Sequence, residues 1–370
     1  MQILDILLYI FIIVACIQVT IYLFIYGRFS FSKPTKTNLN TTPVSVIVCA
    51  KNEAENLERF LPAIIQQNYP EFELVLINDA SHDNTLEVMQ QFAELYDNIK
   101  IVNVKPIEAF WGNKKYALTL GIKASKHDLL LFTDADCKPV SKYWISEMVG
   151  HFNSHKSIVL GFGAHTRIKN SFFNKLIRFE TLTTALRYFS FTKIGMSYMG
   201  VGRNLAYKKS LFFKVNGFID HMHIKSGDDD LFINQVATTK NVSICFKKNS
   251  FTTSPAKTTF KEWFLQKRRH VSTAKYYKLK HKIALALIYS LQLVFWVLTL
   301  ILLVTKHQWH WVIIFLSIRL MAQYITVGAA SKKLNSKDLI VSIPFLEIFL
   351  ISIQLFIFIN NLVSKPNHWK

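Results

Sequence analysis

Four long apolar segments mark the two ends of the chain, one near the N-terminus and three after residue 282. They cover residues 3–26, 283–304, 309–329 and 339–363. About 20 consecutive apolar residues suffice to cross a bilayer. The first segment has no basic stretch before it and is longer than the apolar part of a secretory signal peptide. The pattern therefore predicts one transmembrane helix within residues 1–28 and three within residues 283–363.

A different pattern lies between these segments, where short apolar runs alternate with amphipathic stretches. Buried strands are indicated at residues 44–49, 72–77, 101–104 and 129–133, and helices at residues 54–66, 83–96 and 114–124. Strands that alternate with helices predict an α/β fold with a mostly parallel sheet. We expect residues 43–282 to form this domain, joined to the first helix by a polar tether.

Polar side chains follow three of the predicted strands. Asn52 comes after the first strand, Asp79 after the second, and Asp134 and Asp136 after the fourth. Ligands in such sheets bind at the carboxyl ends of the strands, so we expect these side chains to share one rim. Taken alone, the two aspartates of the fourth strand could merely cap the next helix. Their agreement with the other strand ends favours a site for Mg²⁺ or Mn²⁺ that holds a diphosphate.

The region after residue 140 is less regular. Residues 171–191 have apolar positions at roughly helical spacing, which predicts either an interfacial helix, the alternative we favour, or a packed one. Residues 200–204 form a Gly-flanked loop without the helix-opening context of a dinucleotide fingerprint. His221 and His223 superficially resemble a metal cluster, but loop histidines more often have no metal role.

Three consecutive aspartates, residues 228–230, follow these histidines. Adjacent carboxylates repel each other. Such a run is tolerable on a solvated loop, or where one carboxylate raises the pKa of another for base chemistry. Both alternatives remain open at the level of the residues alone.

Composition and charge limit the possible partners. Hydrophobic residues make up 51% of the chain and mean hydropathy is positive, as expected for a membrane protein. The net charge of +20 would first suggest nucleic acid. The bases flank membrane segments, however, so an anionic leaflet and an anionic nucleotide explain them better, and we expect no nucleic-acid partner. The four cysteines are scattered without a CxxC pair, which indicates reduced, mostly buried thiols of a protein that faces the cytosol.

Basic residues are most concentrated at residues 257–282, where nine Lys or Arg stand against one Glu, interleaved with aromatic residues. A solvated basic face is one interpretation. Aromatic residues among bases directly before an apolar run instead favour a helix at the anionic membrane surface. Residues 266–270 also gather donors suited to phosphate oxygens.

Charges near the apolar segments predict their orientation. Arg28 and Lys33 follow the first segment, the loop after the second carries one base, and the loop after the third carries three. Cytoplasmic loops are enriched in Lys and Arg, so we expect the N-terminus outside and residues 43–282 in the cytoplasm. Arg319 and Glu347 lie within the third and fourth segments. We expect them to pair, because an unpaired charge in the membrane is costly.

Seven short motifs, in order and at suitable spacing, resemble glycosyltransferase family 2 of the GT-A fold, a Rossmann-like fold with a mostly parallel sheet. They are residues 44–53, 77–81, 112–118, 132–137, 202–207, 226–231 and 266–269. Each motif is weak alone, but the ordered set is specific. With the flanking apolar segments, the chain resembles the membrane-bound branch that includes ceramide glucosyltransferases and polysaccharide synthases.

The resemblance implies a role for each matching residue. A nucleotide-sugar, most simply a UDP-sugar, would be bound by residues Asn52, Glu53, Asp79, Lys114, Asp134, Arg203, Asn204, Gln266 and Arg269. Asp79 would contact the base or ribose, and Arg203 and Asn204 would border the donor sugar and the acceptor. Asp134 and Asp136 would hold Mg²⁺ or Mn²⁺ against the diphosphate, Asp136 more directly.

The resemblance also implies the general base. It maps best onto Asp228, with Asp229 as the alternative, because Gly227 stands where the family has Glu. Inverting sugar transfer needs a carboxylate to deprotonate the acceptor hydroxyl while cations stabilise the leaving diphosphate. We expect Asp229 and Asp230 to raise the pKa of Asp228 toward neutral.

These features predict an integral protein of the cell (inner) membrane whose cytoplasmic domain transfers a sugar to a lipid-linked or membrane-associated glycan acceptor. A processive polysaccharide synthase is the alternative enzyme. His270 replaces the Trp that helps to form the acceptor platform in such synthases, which argues against it. A membrane scaffold without catalytic activity is a third possibility. It would not need the acidic residues and Arg269 together.

Overall fold

The computed structural model describes residues 3–35, 41–105 and 114–364. It divides into two compact units. We call residues 34–166 and 197–276 the α/β unit, and residues 1–33, 167–196 and 277–365 the helical unit. Residues 112 and 113 of one predicted motif lie outside the described residues.

The strands of the α/β unit are short and mostly buried, because apolar side chains occupy both faces of the sheet. In chain order they are β1 Val44–Ala50, β2 Phe72–Asp79, β3 Ile99–Val104, β4 Leu129–Asp134, β5 Lys138–Pro139, β6 Ile158–Leu160, β7 Gly163–His165, β8 Leu205–Lys208, β9 Val242–Ile244 and β10 Thr252–Ser254.

The helices are α1 Ile3–Thr20, α2 Gly27–Ser30, α3 Ala54–Ile65, α4 Thr85–Leu95, α5 Lys114–Ala124, α6 Trp144–Val149, α7 Phe172–Lys193, α8 Lys209–Lys214, α9 Asp230–Val236, α10 Phe260–Thr273, α11 Leu279–Val304, α12 Trp309–Lys333 and α13 Ile343–Val363. A π-helical stretch, Ile21–Tyr26, joins α1 to α2. Short 3₁₀ turns are found at Gly202–Asn204, Ile219–His221, Lys248–Ser250, Ala274–Tyr276 and Lys337–Ser342.

The main sheet has seven strands in the order β3-β2-β1-β4-β8-β6-β9, and β5, β10 and β7 form a second, smaller sheet. Strands β3, β2, β1 and β4 are mutually parallel, whereas β8 runs antiparallel to both β4 and β6. The predicted strands and helices up to Asp134 are all found. One core packs the sheet against α3, α4 and α6 around residues such as Val46, Leu76 and Trp144.

The helical unit contains four helices long and apolar enough to cross a membrane, within the residues that the structure describes: Ile3–Ser30, Leu279–Val304, Trp309–Lys333 and Lys337–Val363. Their core includes Phe11 and Phe295, whose rings stack with centroids 5.2 Å apart. Helix α7 belongs to this unit and more than half of its residues are buried. A helix buried on this scale agrees with the packed alternative, so the structure does not favour the interfacial interpretation.

Arg319 and Glu347 form the predicted pair. Arg319 Nη2 lies 2.7 Å from Glu347 Oε1, and both side chains are buried. Arg319 also donates to Gln18 Oε1 at 2.9 Å and to Gln323 Oε1 at 2.6 Å, and Trp296 Nε1 donates to Glu347 Oε2 at 3.1 Å. The prediction is confirmed, and its physical reason is visible: neither charge is left without partners.

Candidate active site

Polar residues lie at or just beyond the carboxyl ends of three parallel strands, β1, β2 and β4, on one rim of the sheet. Asp79 is the last residue of β2 and Asp134 the last of β4, and β1 lies between these two strands. In the strand register Cys49 of β1 is opposite Asp134, and Ala50 is opposite Asn78. The two aspartates therefore flank the end of β1, as expected for the carboxyl ends of parallel strands.

Asp79 is the most deeply buried acid of this rim, with 7% of its surface exposed. Its Oδ2 accepts no hydrogen bond within the described part of the chain. Burial raises the pKa of Asp79, and the nearby Lys51 and Lys114 oppose that rise. A buried acceptor without a partner is costly and uncommon in a folded protein. A ligand donor bound at the end of β2 would remove that cost.

Asn52 and Glu53 shape the turn beside Asp79. Asn52 has a positive φ of 55°, and its Oδ1 accepts a 2.8 Å hydrogen bond from the backbone of His82. Glu53 precedes α3; its backbone N–H donates to Thr85 Oγ1 at 2.9 Å and its carboxylate accepts from Asn56. Both residues lie at the predicted rim. Their role toward a nucleotide remains a prediction.

Asp134 and Asp136 converge although the strand ends between them. The chain turns after Asp134, with Cys137 N–H donating to Asp134 O at 3.0 Å. Ligand atoms of Asp134, Asp136 and Cys137 still lie within 4.8 Å of one another. Burial and the Asp134 charge raise the pKa of Asp136. A cation between the two carboxylates would relieve their repulsion.

The donor chemistry of this turn fits a hard divalent cation. Mg²⁺ prefers carboxylate oxygens, phosphate oxygens and water, so two aspartates leave positions for a diphosphate. Cys137 is fully buried, and burial raises the pKa of its thiol well above the ordinary value. A protonated thiol is a poor ligand for such an ion, so Asp134 and Asp136 remain the predicted ligands.

Lys114 links the two acidic groups of the site. Its Nζ lies 2.8 Å from Asp134 Oδ1 and 3.2 Å from Asp228 Oδ2. Burial would lower the pKa of Lys114, but the two carboxylates reverse this and hold it well above the ordinary value. The ammonium therefore stays charged and bridges the strand end to the aspartate run.

The three consecutive aspartates have different surroundings. Asp229 Oδ2 accepts from Gly202 N–H and its Oδ1 accepts from Asp230 N–H, both at 2.7 Å. Asp230 is buried and accepts from the hydroxyl of Thr273. Asp228 instead directs its carboxylate to Lys114. Asp228 is therefore the member of the run whose carboxylate contacts a side chain of the cleft.

The expected rise in the pKa of Asp228 is not found. Burial is the largest single effect and acts to raise this pKa. Lys114, a backbone hydrogen bond and Lys115 together outweigh it, so the pKa of Asp228 lies below the ordinary value. The raised pKa belongs to Asp229, at about 8, because it is buried and adjoins Asp228 and Asp230. The prediction overlooked Lys114, whose approach could not be read from local sequence.

Arg203 and Asn204 differ sharply in what they contact. Asn204 is fully buried; its amide donates to Phe162 O and Ser250 O, and its Oδ1 accepts from Trp144 Nε1 at 3.0 Å. The Asn204 amide is thus committed to holding the fold, and its place beside the donor sugar stays a prediction. Arg203 is partly exposed, donates to Ser254 Oγ at 3.1 Å, and acts electrostatically on Asp136.

Gln266 and Arg269 lie one turn apart on α10, so they share a face of that helix. The charges of Asp228, Asp134 and Asp229 act on the Arg269 guanidinium and oppose the lowering of its pKa by burial. Arg269 thus belongs to the same acidic site.

His221 packs against the Phe218 ring, and burial lowers its pKa to about 4.

Two buried polar residues near the site were not among the predicted site residues. Lys115 has 1% of its surface exposed, and its Nζ donates to the carbonyl oxygens of His221, Ile224 and Ser226. Thr273, at the end of α10, binds Asp230 at the start of α9. A lysine beside Lys114 was visible in the sequence, but nothing local showed which loop it would reach.

A cleft lies among these residues. Its polar lining includes Lys114, Asp134, Asp228 and Asp229. Apolar side chains of the sheet and of α5, such as Ile47, form the rest. Acidic groups, a lysine and an apolar floor together suit an anionic, metal-bound ligand.

Residues 45–222 match the family model described as glycosyl transferase family 2. This segment is therefore a glycosyltransferase family 2 domain. Glycosyltransferase AglE of Haloferax volcanii is 31% identical over 193 residues, which cover 50% of this chain and 58% of that relative. Probable glycosyltransferase YdaM of Bacillus subtilis is 28% identical over 259 residues, covering 66% of this chain and 58% of the relative. The chain thus matches less than two thirds of the length of either relative.

A solved structure shares the fold. Mannosyltransferase PcManGT from Pyrobaculum calidifontis, in complex with GDP-Man and Mn²⁺, aligns over 89% of this chain and 98% of its own, with a TM-score of 0.59 and 17% identity. With the mostly parallel sheet and the four apolar helices, this similarity confirms the predicted fold class, a GT-A α/β domain with one N-terminal and three C-terminal spans.

Proposed function

We propose that this protein is a membrane-bound inverting glycosyltransferase. It moves a sugar from a nucleotide-sugar, in the simplest case a UDP-sugar, to a lipid-linked or membrane-associated glycan acceptor. The observation that carries the proposal is the convergence of Asp79, Asp134, Asp136, Lys114 and Asp228 on one sheet rim. Parallel strand ends are where such folds bind ligands.

The donor is bound by residues of the three strand ends. The unsatisfied carboxylate oxygen of Asp79 accepts from the nucleoside. Asp134 and Asp136 hold Mg²⁺ or Mn²⁺, which when bound supplies positive charge that stabilises the leaving diphosphate. Gln266 and Arg269, on one face of α10, contact the pyrophosphate from the other side.

Asp228 is the general base. It takes the proton of the acceptor hydroxyl, whose oxygen attacks the anomeric carbon as the bond from that carbon to the diphosphate breaks. The resting contact with Lys114 makes Asp228 a weak base. An incoming diphosphate competes for the Lys114 ammonium, so donor binding strengthens the base. Attack opposite the leaving group inverts the anomeric configuration.

We infer that the protein lies in the cell membrane with its α/β unit in the cytoplasm. The four apolar helices support the membrane assignment. Three lysines between the third and fourth spans, against one between the second and third, support the orientation. Cytoplasmic nucleotide-sugar and a membrane-associated acceptor would then both be accessible.

The proposal is tested with the purified chain in detergent, Mn²⁺ and a panel of UDP-, GDP- and dTDP-sugars. Release of nucleotide from one donor, abolished by a chelator and by Asp228→Asn, supports it. Adding a membrane lipid extract as acceptor and sizing the product separates single transfer from processive synthesis. No release from any donor, with or without acceptor, would leave the scaffold interpretation standing instead.

A further inference from the structure

We infer that Lys115 is a positioning residue that holds the loop of residues 221–226 so that Asp228 is fixed in the cleft. The inference rests on the proposed function, because it gives Asp228 the role of base. Lys115 itself contacts the backbone of the loop, so it acts through Asp228 and is not a catalytic residue.

The contacts of Lys115 converge on one short loop. Its Nζ donates to the carbonyl oxygens of His221 at 2.8 Å, Ile224 at 2.8 Å and Ser226 at 2.6 Å. An ammonium group has three N–H donors, and these three carbonyls match that number. A buried charge is tolerated when it is hydrogen-bonded in this way. Because the partners are backbone atoms, they define the path of the loop.

The fixed loop leads directly to Asp228. Ser226 is the last anchored residue, and Gly227 alone separates it from the base. Gly227 has a φ of +93°, and a Cβ there would lie 2.4 Å from Leu231 Cδ1. The position thus excludes other residues, and the single link between anchor and base is conformationally defined.

Two consecutive lysines of α5 therefore contact the segment that ends at Asp228, one at its side chain and one at its backbone. Lys114 contacts the Asp228 carboxylate and Lys115 contacts the backbone before it. Loss of Lys114 would remove a charge from the reaction centre. Loss of Lys115 would leave every reacting group present; it would free the backbone before Asp228 and remove a more distant charge that helps to lower the pKa of Asp228. This difference separates a positioning role from a catalytic one.

The test compares Lys115→Met with Lys123→Met, a matched control on the exposed face of the same helix. Hydrogen–deuterium exchange is measured over residues 221–228, and nucleotide titration gives the fraction of active sites. We expect faster exchange in Lys115→Met only. We also expect kcat per active site to fall by about 100-fold, the scale of a 1 Å misplacement, at unchanged donor KM.

Each result has a separate meaning. Unchanged exchange over residues 221–228 in Lys115→Met would refute the anchored loop. Faster exchange with unchanged kcat per active site would refute its link to catalysis. Lys115→Gln keeps amide donors, so its exchange rate over residues 221–228 and its kcat should lie between those of wild type and Lys115→Met. This variant also serves as the test protein if Lys115→Met does not fold. Wild-type protein that turns over no donor would instead refute the proposed function.

Discussion

At the scale of single residues, Lys114 distinguishes the two candidates for the general base, because it contacts Asp228 and not Asp229 within the described contacts. Asp228 and Asp134 both bind this ammonium, so Asp228 is ionised in the resting site. Asp229 is buried, and its pKa is raised to about 8. The pKa of Asp228 thus lies below the ordinary value of an aspartate, and the pKa of Asp229 lies above it. Because the two values differ, the pH dependence of the rate can show which residue acts as the base.

The pH dependence of kcat/KM distinguishes Asp228 from Asp229, since this parameter reports the groups of the free enzyme. A base must be deprotonated, so the rate is lost as pH falls through its pKa. With Asp228 as base, whose pKa lies below the ordinary 3.8, we expect no such loss near pH 8. With Asp229 as base, kcat/KM would instead fall about tenfold per pH unit below pH 8.

Variants at the same two positions give an independent check. Asp228→Asn should lower transfer by about 10²–10⁴-fold, the contribution of a general base, while nucleotide binding is retained. Asp229→Asn keeps an acceptor for the Gly202 N–H and should retain more activity than Asp228→Asn. Substantial turnover by Asp228→Asn would contradict the assignment.

Asp136 is the residue at which metal dependence can be tested. Its carboxylate shares the turn after β4 with Asp134, and removing one of two ligands should weaken metal-dependent donor binding. We expect Asp136→Ala to bind nucleotide in Mn²⁺ as weakly as wild type does in a chelator, as measured by titration calorimetry. Equal Mn²⁺-dependent binding by Asp136→Ala and wild type would show that the metal site lies elsewhere.

At the scale of secondary structure, a side-chain hydrogen bond joins α9 to α10. Thr273, the last residue of α10, donates to the buried Asp230, the first residue of α9. Helix α10 also carries Gln266 and Arg269, while the turn before α9 carries Asp228. The contact therefore links the turn that carries the proposed base to the helix proposed to bind pyrophosphate.

Thr273→Val keeps the shape of the side chain and removes this hydrogen bond. A bond to a charged group contributes about 1.5–3 kcal/mol, so we expect loss of stability and a lower kcat/KM. Thr273→Ser retains the hydroxyl and serves as the matched control. Thermal unfolding and donor kinetics of the three proteins provide the measurement. Equal behaviour of Thr273→Val and Thr273→Ser would show that the hydroxyl has no such role.

The elements that the sequence could predict are those set by local pattern. Short apolar runs ending in Asp79 and Asp134 identified β2, β4 and their shared rim, because strand burial and strand ends are visible in order. The antiparallel β8, the reach of Lys115 and the burial of Asn204 depend on residues far apart in the chain. No local period encodes such contacts, so they needed the structure.

At the scale of the whole molecule, the helical unit contains a buried polar network within an apolar core. Arg319 and Glu347 are its charged members, on α12 and α13. Tyr22 accepts from Arg319 Nη2 and donates to Glu347 Oε1, both at 3.0 Å. The network thus joins the N-terminal helix to two C-terminal ones. Helices distant in sequence are therefore held together by hydrogen bonds, for which lipid tails offer no alternative partners.

A double-mutant cycle on Arg319 and Glu347 tests this coupling. Arg319→Leu and Glu347→Leu each leave a buried charge without its partner, so each should destabilise the protein by about 3–5 kcal/mol. The double variant removes both charges and should lose less stability than the sum of the single variants. Unfolding in detergent is the measurement, and Ser352→Leu, at an exposed position of α13, is the control. Additive losses would mean that the two charges are stabilised independently of each other.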